Sequence, residues 1–474
     1  MIVLATVAGE RFSWLHRGFR NMKQRRLSLV LAGVASAAFL VGTSVAAPPP
    51  PTAPAADGPT YVYRVPAPLG QKAQDLLARG FDVLEQRDGD DLFVLGSKDV
   101  HAKLAEAGYT GTVESVMAPP SGLKTEGSGV KETYYGGYHT IKAHYAHLDQ
   151  VAFRYARLAT VVDYGDSWRK TQGAGGYDLK AVCITKRTPG DCRLTPHSRK
   201  PRLFVSGQIH AREITTGDMA WRWIDHLTQG YGKDAEVTSL LDTTEIWVVP
   251  IANPDGVQIV QSGGDSPKLH RKNANYTNGP KDCGSDPYAH VGIDLNRNFD
   301  AQWGDNGTSN DPCNQVYRGP KADSEVETRA LEKLFRALFP DKRGPGLNDP
   351  ADADTRGMVI TMHSALNVVL LPWGYTTTPS PNDGPLRAMA AEMARLAGGW
   401  QYGQPGELLY TAGGSIDDWV YGELGVPHYT WEIGNWEGDC AGFLPAYSCQ
   451  DGHWAKVKPM LTYAAHKAAN PYRS

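Results

Sequence analysis

No Cys-x-x-Cys pair occurs in the chain, which removes the usual frameworks for a cysteine-ligated zinc or a dithiol redox centre. No apolar run has the length of a comfortable membrane span, which needs about 20 residues. The candidate, Leu27 to Val41, is uncharged but short. Positive charge is not in excess either. Lys and Arg number 48 against 51 Asp and Glu, for a net charge of −3, and no basic stripe suggests nucleic-acid binding. Internal repeats are absent. What remains is an ordinary globular composition, 41% hydrophobic and 21% charged, over 474 residues. That length suits one large domain plus a smaller one.

The apolar run reads instead as an export signal over residues 1–47. Met22-Lys-Gln-Arg-Arg26 is a basic n-region, and Ser44-Val45-Ala46 places small residues for cleavage after Ala46 or Ala47. Residues 1–21 sit awkwardly before that n-region, so a start at Met22 is open. An uncleaved anchor and a twin-arginine route through Arg25-Arg26 also stay open. Residues 1–46 carry six Lys/Arg and one Glu, or +5, so the chain beyond them is at −8. We therefore expect a secreted, extracellular protein without a stable membrane span in its mature form. Six cysteines in an exported chain point to disulfides, and six allow fifteen connectivities. The simplest is local: Cys183 with Cys192, Cys283 with Cys313, and Cys440 with Cys449, each closing a polar, Gly/Pro-containing loop.

Composition divides the remainder. Residues 48–60 are a Pro/Ala-rich linker. Residues 61–116 form a small α/β unit: a strand at Tyr61–Val65, helices at Gln71–Ala78 and Val100–Ala107, and a hairpin around Asp88-Gly89-Asp90. Residues 117–133 are a flexible connector, of the sort that is preferentially nicked. From residue 134 to 474, helical segments alternate with short apolar strands. That alternation predicts an α/β domain of three layers, α/β/α, around a central mixed, mostly parallel sheet. Function in such a fold belongs at the strand ends.

Polar clusters occur where the strands stop. The run Arg202-Leu-Phe-Val-Ser-Gly-Gln-Ile209 ends in His210-Ala-Arg-Glu213. A His and a Glu three residues apart can aim at one point, but a tetrahedral zinc site still needs a third protein ligand and an open position for water. Alone, the tetrapeptide is as easily a surface ion pair. His363, ending Met358-Val-Ile-Thr-Met362, is the best third ligand. Asp294 is a candidate partner for the far nitrogen of a metal-bound His. Asn296, Arg297 and Arg271 offer donors for a carboxylate or an oxyanion. Glu432 follows the apolar, aromatic Pro427-His-Tyr-Thr-Trp431, where a carboxylate should be paired or catalytic.

In this order the motifs resemble a zinc metallocarboxypeptidase of the carboxypeptidase A/B type. The likeness runs over roughly residues 134–470. Its motifs are His-Ala-Arg-Glu at 210–213, Asn253-Pro-Asp-Gly256, Arg271-Lys-Asn273, Asp294-Leu-Asn-Arg-Asn298, Tyr317 to Glu325, Met362-His-Ser364, Leu371-Pro-Trp-Gly374, Tyr410 to Trp419, and Trp431-Glu-Ile433. The small N-terminal unit resembles that family's propeptide in position and size. The resemblance implies one zinc ion per chain on His210, Glu213 and His363. It makes Glu432 the general base to a zinc-bound water and then the proton shuttle. Arg271 would polarise the scissile carbonyl, Arg212 would bind substrate near the metal, and Asp294 would orient His210. Asn296, Arg297 and Tyr410 would grip the substrate's terminal carboxylate. The substrates implied are peptide or protein C-termini, acted on by a monomer.

Specificity stays open at this point. An ungapped match from Tyr410 to Trp419 puts Asp417 at the floor of the side-chain pocket, implying C-terminal Lys or Arg. A one-residue shift puts Ile416 there and implies apolar or aromatic residues. Asp417 could also simply cap the following helix. Ala365 stands where the animal enzymes have Tyr, so the outer subsites should differ. Two further readings fit the same motifs: a cell-wall peptidase cutting γ-D-glutamyl-type bonds, and a non-catalytic peptide-binding module. The second would be marked by a lost ligand or base, and none is lost.

Overall fold

A computed structural model describes residues 58–68, 71–117, 132–284 and 288–473. The expected signal at 1–47, most of the 48–60 linker and most of the 117–133 connector lie outside the described residues.

The first described segment builds a four-stranded antiparallel sheet from β1 (Thr60–Pro66), β2 (Asp82–Asp88), β3 (Asp91–Gly96) and β4 (Thr112–Met117), in the order β2-β3-β1-β4. Helices Gln71–Ala78 and Val100–Glu106 pack on it. The hairpin and both helices agree with the sequence reading. β4 does not appear in that reading, because most of its side chains are exposed and leave no apolar alternation.

A two-stranded ribbon, β5 (Thr133–Tyr134) with β6 (Tyr138–His139), opens the large unit. The central sheet has eight strands: β7 (Ala159–Asp166), β8 (Asp178–Ile184), β9 (Arg202–Ser206), β10 (Glu245–Val249), β11 (Met358–His363), β12 (Val368–Leu370), β13 (Gln401–Gly403) and β14 (His428–Glu432). Their order is β13-β12-β14-β11-β9-β10-β8-β7. The sheet is mixed. The inner run β14-β11-β9-β10 is parallel, as is β12-β13, while β12-β14, β10-β8 and β8-β7 are antiparallel.

Period-2 alternation explains why the inner strands read as unbroken apolar runs: both faces are covered. Leu203, Val205, Ile246, Val248, Met358 and Ile360 face one core, shared with helices Ile214–Gly230, Asp383–Leu396 and Gln450–Lys467. Phe204, Trp247 and Val359 face the other, shared with helices Val326–Leu338 and Ile416–Leu424. The three expected disulfides, Cys183–Cys192, Cys283–Cys313 and Cys440–Cys449, are all formed. No helix among the described residues is long and apolar enough to cross a membrane.

Both sheets belong to one compact unit, Pro49–Ser474. β2 and helix Gln71–Ala78 of the small sheet lie over the carboxyl ends of the central strands, and an apolar cluster joins Val65, Ala73, Leu77 and Val83 to Val316, Leu370 and Leu409.

Candidate metal centre and substrate cleft

Parallel strands β9, β11 and β14 end side by side, and each ends at a polar side chain or a turn that carries one. His363 and Glu432 close β11 and β14 in register with each other. β9 leads into the turn 207–213. Gly207 is required there, since a Cβ would stand 2.8 Å from the Thr216 carbonyl oxygen. Glu213 then sits at the N-cap position of helix Ile214–Gly230, its side chain free of capping duty. Asn253 holds this turn from behind. Its Oδ1 caps helix Pro254–Gln261 through Gly256 N–H, and its Nδ2 donates to the carbonyls of Ile209 and Lys272 at 3.1 Å. One asparagine thereby ties the 207–213 turn to the segment bearing Arg271.

The outcome is a buried triad. His210 Nδ1 lies 2.8 Å from Glu213 Oε1, His363 Nδ1 lies 3.1 Å from Glu213 Oε2, and the two Nδ1 atoms are 3.1 Å apart. All three residues are buried, and among the described residues they are the one His/Cys/Asp/Glu group able to hold a metal ion. Acceptor atoms packed this closely repel unless a proton or a cation sits between them. Zinc bonds of about 2.1 Å put tetrahedral ligands roughly 3.4 Å apart, near the observed spacing, and an N,N,O donor set suits zinc. The residues therefore fit a zinc ion.

Asp294 organises what surrounds the triad. Its Oδ1 is 3.2 Å from His210 Nε2 and accepts Asn296 N–H, while its Oδ2 accepts Arg271 Nε–H at 3.0 Å. Burial pushes the Asp294 carboxyl up, but Arg271 and His210 outweigh it and hold it well below the usual range. Glu432 goes the other way. Burial, then the negative charges of Glu213 and Glu85, push its carboxyl well above its ordinary value, with Arg271 opposing. Its Oε2 and one terminal nitrogen of Arg271 have no hydrogen-bond partner.

Beyond the triad, Arg297 donates to the carbonyls of Gly307 and Asn296 at 2.8 Å and reaches the Tyr410 hydroxyl at 3.4 Å. Gly414, at φ +74, lets the Tyr410–Trp419 segment pass directly against the Arg297 backbone, where a Cβ would stand 2.3 Å from the Arg297 carbonyl oxygen. Asn296 Oδ1 accepts Ile416 N–H at 2.9 Å, so its amide nitrogen is the end left to donate. Asp417 borders the same cavity as His210, His363, Arg297, Tyr410 and Glu432. Ile416 points instead into the core with Phe335 and Trp419. Ser415, not Asp417, caps the helix, accepting Asp418 N–H.

Sequence reasoning missed the residues that fill this cleft from above. Asp82 and Glu85 of β2 reach down from the small sheet. Asp82 accepts both terminal nitrogens of Arg212, at 2.6 and 3.0 Å, while the Arg212 guanidinium lies 4.0 Å over the Phe443 ring. Glu85 Oε1 accepts from Arg271 at 3.0 Å. Arg87 donates to the Leu409 carbonyl, and Gln74 bonds Gly307 N–H and the Thr308 carbonyl. The cavity that remains, about 40 Å³, has room for a few waters and is too small for a peptide.

Comparison with known proteins bears directly on this geometry. The zinc carboxypeptidase family model, Peptidase_M14, matches residues 144–454, well over half of the chain. The chain belongs to that family. It is a metallocarboxypeptidase, a hydrolase whose family works with one catalytic zinc ion. Human carboxypeptidase A1 is 28% identical over 344 residues, covering 71% of this chain and 72% of that protein. Zinc carboxypeptidase A 1 of Anopheles gambiae is 31% identical over 309 residues, covering 62% and 60%. Among solved structures, carboxypeptidase A from Helicoverpa armigera superposes with a TM-score of 0.67 at 20% identity, over 86% of this chain and 97% of that one. Thrombin-activatable fibrinolysis inhibitor gives 0.65 at 20% identity, over 87% and 99%. At that identity the likeness speaks for the fold alone.

Proposed function

We propose that this metallocarboxypeptidase is exported, is made as a capped precursor, and removes C-terminal Lys or Arg from peptides. The observation that carries the reading is one cavity bordered by the His210–Glu213–His363 triad, Glu432, Arg297 with Tyr410, and Asp417.

His210, Glu213 and His363 would hold the zinc ion, and Asp294 would fix the His210 ring by accepting its Nε2–H. When bound, zinc supplies Lewis acidity and an acidified water at neutral pH. Asn296, Arg297 and Tyr410 bind the substrate's terminal carboxylate, so only a chain end fits. Burial keeps the Tyr410 phenol protonated and able to donate. Arg271 places its partnerless N–H against the oxygen that gains charge as the carbonyl is attacked, where a fixed donor in a dry site acts most strongly. Glu432 takes the proton of the attacking water and delivers it to the leaving amine. Asp417 faces the cationic end of the departing residue.

Residues 60–117 hold the enzyme off. Asp82 and Glu85 occupy Arg212 and Arg271, two groups the substrate would need, and β2 fills the approach. Cutting within the 117–133 connector would free the small unit. Three disulfides and the leader-like residues 1–47 support export.

Glu432→Gln tests the chemistry. In the zinc-loaded, connector-cleaved protein we expect turnover to fall about 10³-fold or more, with zinc content and peptide binding unchanged. Retained turnover would overturn the assignment of Glu432.

A further inference from the structure

Behind Asp417 stands a second buried side chain that none of the cleft's motifs contains. His428 begins β14 and is fully buried. Its Nδ1 lies 2.8 Å from Asp417 Oδ1, though off the line of a good N–H···O bond, and Thr430 Oγ1 donates to the same oxygen at 2.7 Å. On its far side, His428 Nε2 is 3.4 Å from Thr361 Oγ1 of β11. A carboxylate at the base of a buried pocket is thus in contact with an imidazole that no water reaches.

We propose that His428 is a specificity-determining residue whose protonation state sets the charge of the pocket floor, and thereby selects between cationic and neutral C-terminal residues. The inference rests on the reading of Asp417 as that floor. With His428 protonated, the His428–Asp417 pair is neutral, and a Lys or Arg entering the pocket meets no net charge. With His428 neutral, Asp417 carries its full negative charge, and a cationic side chain replaces the lost proton as its partner. Histidine is the side chain that ordinarily makes this change between pH 5 and 8. The preference for Lys/Arg over an uncharged residue therefore rises with pH. Burial pushes the Asp417 carboxyl up, but His428, Thr430 and His363 together hold it below its usual value.

The other charged groups near the pair do not produce the same signature. Asp418, next on the helix, turns away and accepts the N–H groups of Gly374 and Tyr375. Glu432, on the same strand as His428, and His363, on β11, both act on Asp417 at longer range. Both belong to the machinery that every substrate shares, so their titration cancels in a ratio of two substrates.

The experiment is that ratio. Full-length zinc-loaded protein, cleaved in the connector, is given two peptides that differ only in C-terminal Arg or Phe, from pH 5.5 to 8.5. We expect the Arg/Phe ratio of kcat/KM to rise about tenfold or more with pH, the change residing in KM. In His428→Gln, which keeps a polar side chain but cannot titrate, the ratio should be flat and high. In Asp417→Asn it should be flat and low. A cooperative thermal unfolding transition reports whether each variant is folded, and His428→Asn is the second choice if His428→Gln lacks one. A wild-type ratio independent of pH, or a pH-dependent ratio that survives in the His428 variants, would overturn the proposal. An Arg/Phe ratio unchanged in Asp417→Asn would instead overturn the Asp417 reading beneath it.

Discussion

The floor of the cleft and the cap over it are built from the same chemistry, carboxylates facing cations, but differ in what fixes them. On the floor, His210, Glu213, His363, Asp294 and Arg271 sit at strand ends or in turns tied by backbone contacts, such as Asn253 bonding Ile209 and Lys272. Each is held by its own local segment. In the cap, Asp82 and Glu85 project from a separate small sheet and meet arginines 130 and 186 positions away in sequence. Local geometry makes the floor permanent. The cap depends on two buried ion pairs, the hydrogen bonds of Arg87 and Gln74, and an apolar seam, all of which can be given up together.

That contrast predicts unequal sensitivity. On the floor, His363→Ala removes one of the three proposed metal donors and should abolish zinc retention in cleaved and uncleaved protein alike, and activity in the cleaved protein. Metal analysis after dialysis checks this, and a full zinc complement would break the assignment of the triad. In the cap, Asp82→Asn with Glu85→Gln removes both charges from the arginines while leaving their shapes. Breaking buried interfacial pairs costs about 2–5 kcal/mol in comparable settings, so the uncleaved chain should gain activity roughly tenfold or more, with cleaved activity unchanged. No gain would mean that the apolar seam and the Arg87 and Gln74 hydrogen bonds keep the cap in place without the ion pairs.

The same contrast explains what could be read from sequence. Zinc chemistry restricts residue type, so His-Ala-Arg-Glu and a His closing an apolar strand stand out, as do the buried strands β9, β10 and β11 with their apolar runs. The edge strands were less visible: β7 alternates weakly, with partly exposed side chains, and β4 hardly at all. Asp82 and Glu85 carried no signal, because an acidic residue on a short strand is usually solvated and only the docked sheet buries these two. His428 was invisible for another reason. It lies within an apolar stretch, and its significance appears only when helix Ile416–Leu424 brings Asp417 beside it. The choice between Asp417 and Ile416 likewise needed coordinates, since a one-residue shift in a helix reverses which side chain meets the cavity.

One measurement tests the floor and the cap together. Zinc-loaded full-length protein is incubated with a panel of peptides before and after cleavage in the 117–133 connector, and products are weighed by mass spectrometry. Loss of single C-terminal residues, Lys and Arg fastest, confined to the cleaved protein, is the predicted result. Internal cuts, no C-terminal release, or equal release from the uncleaved chain would contradict it.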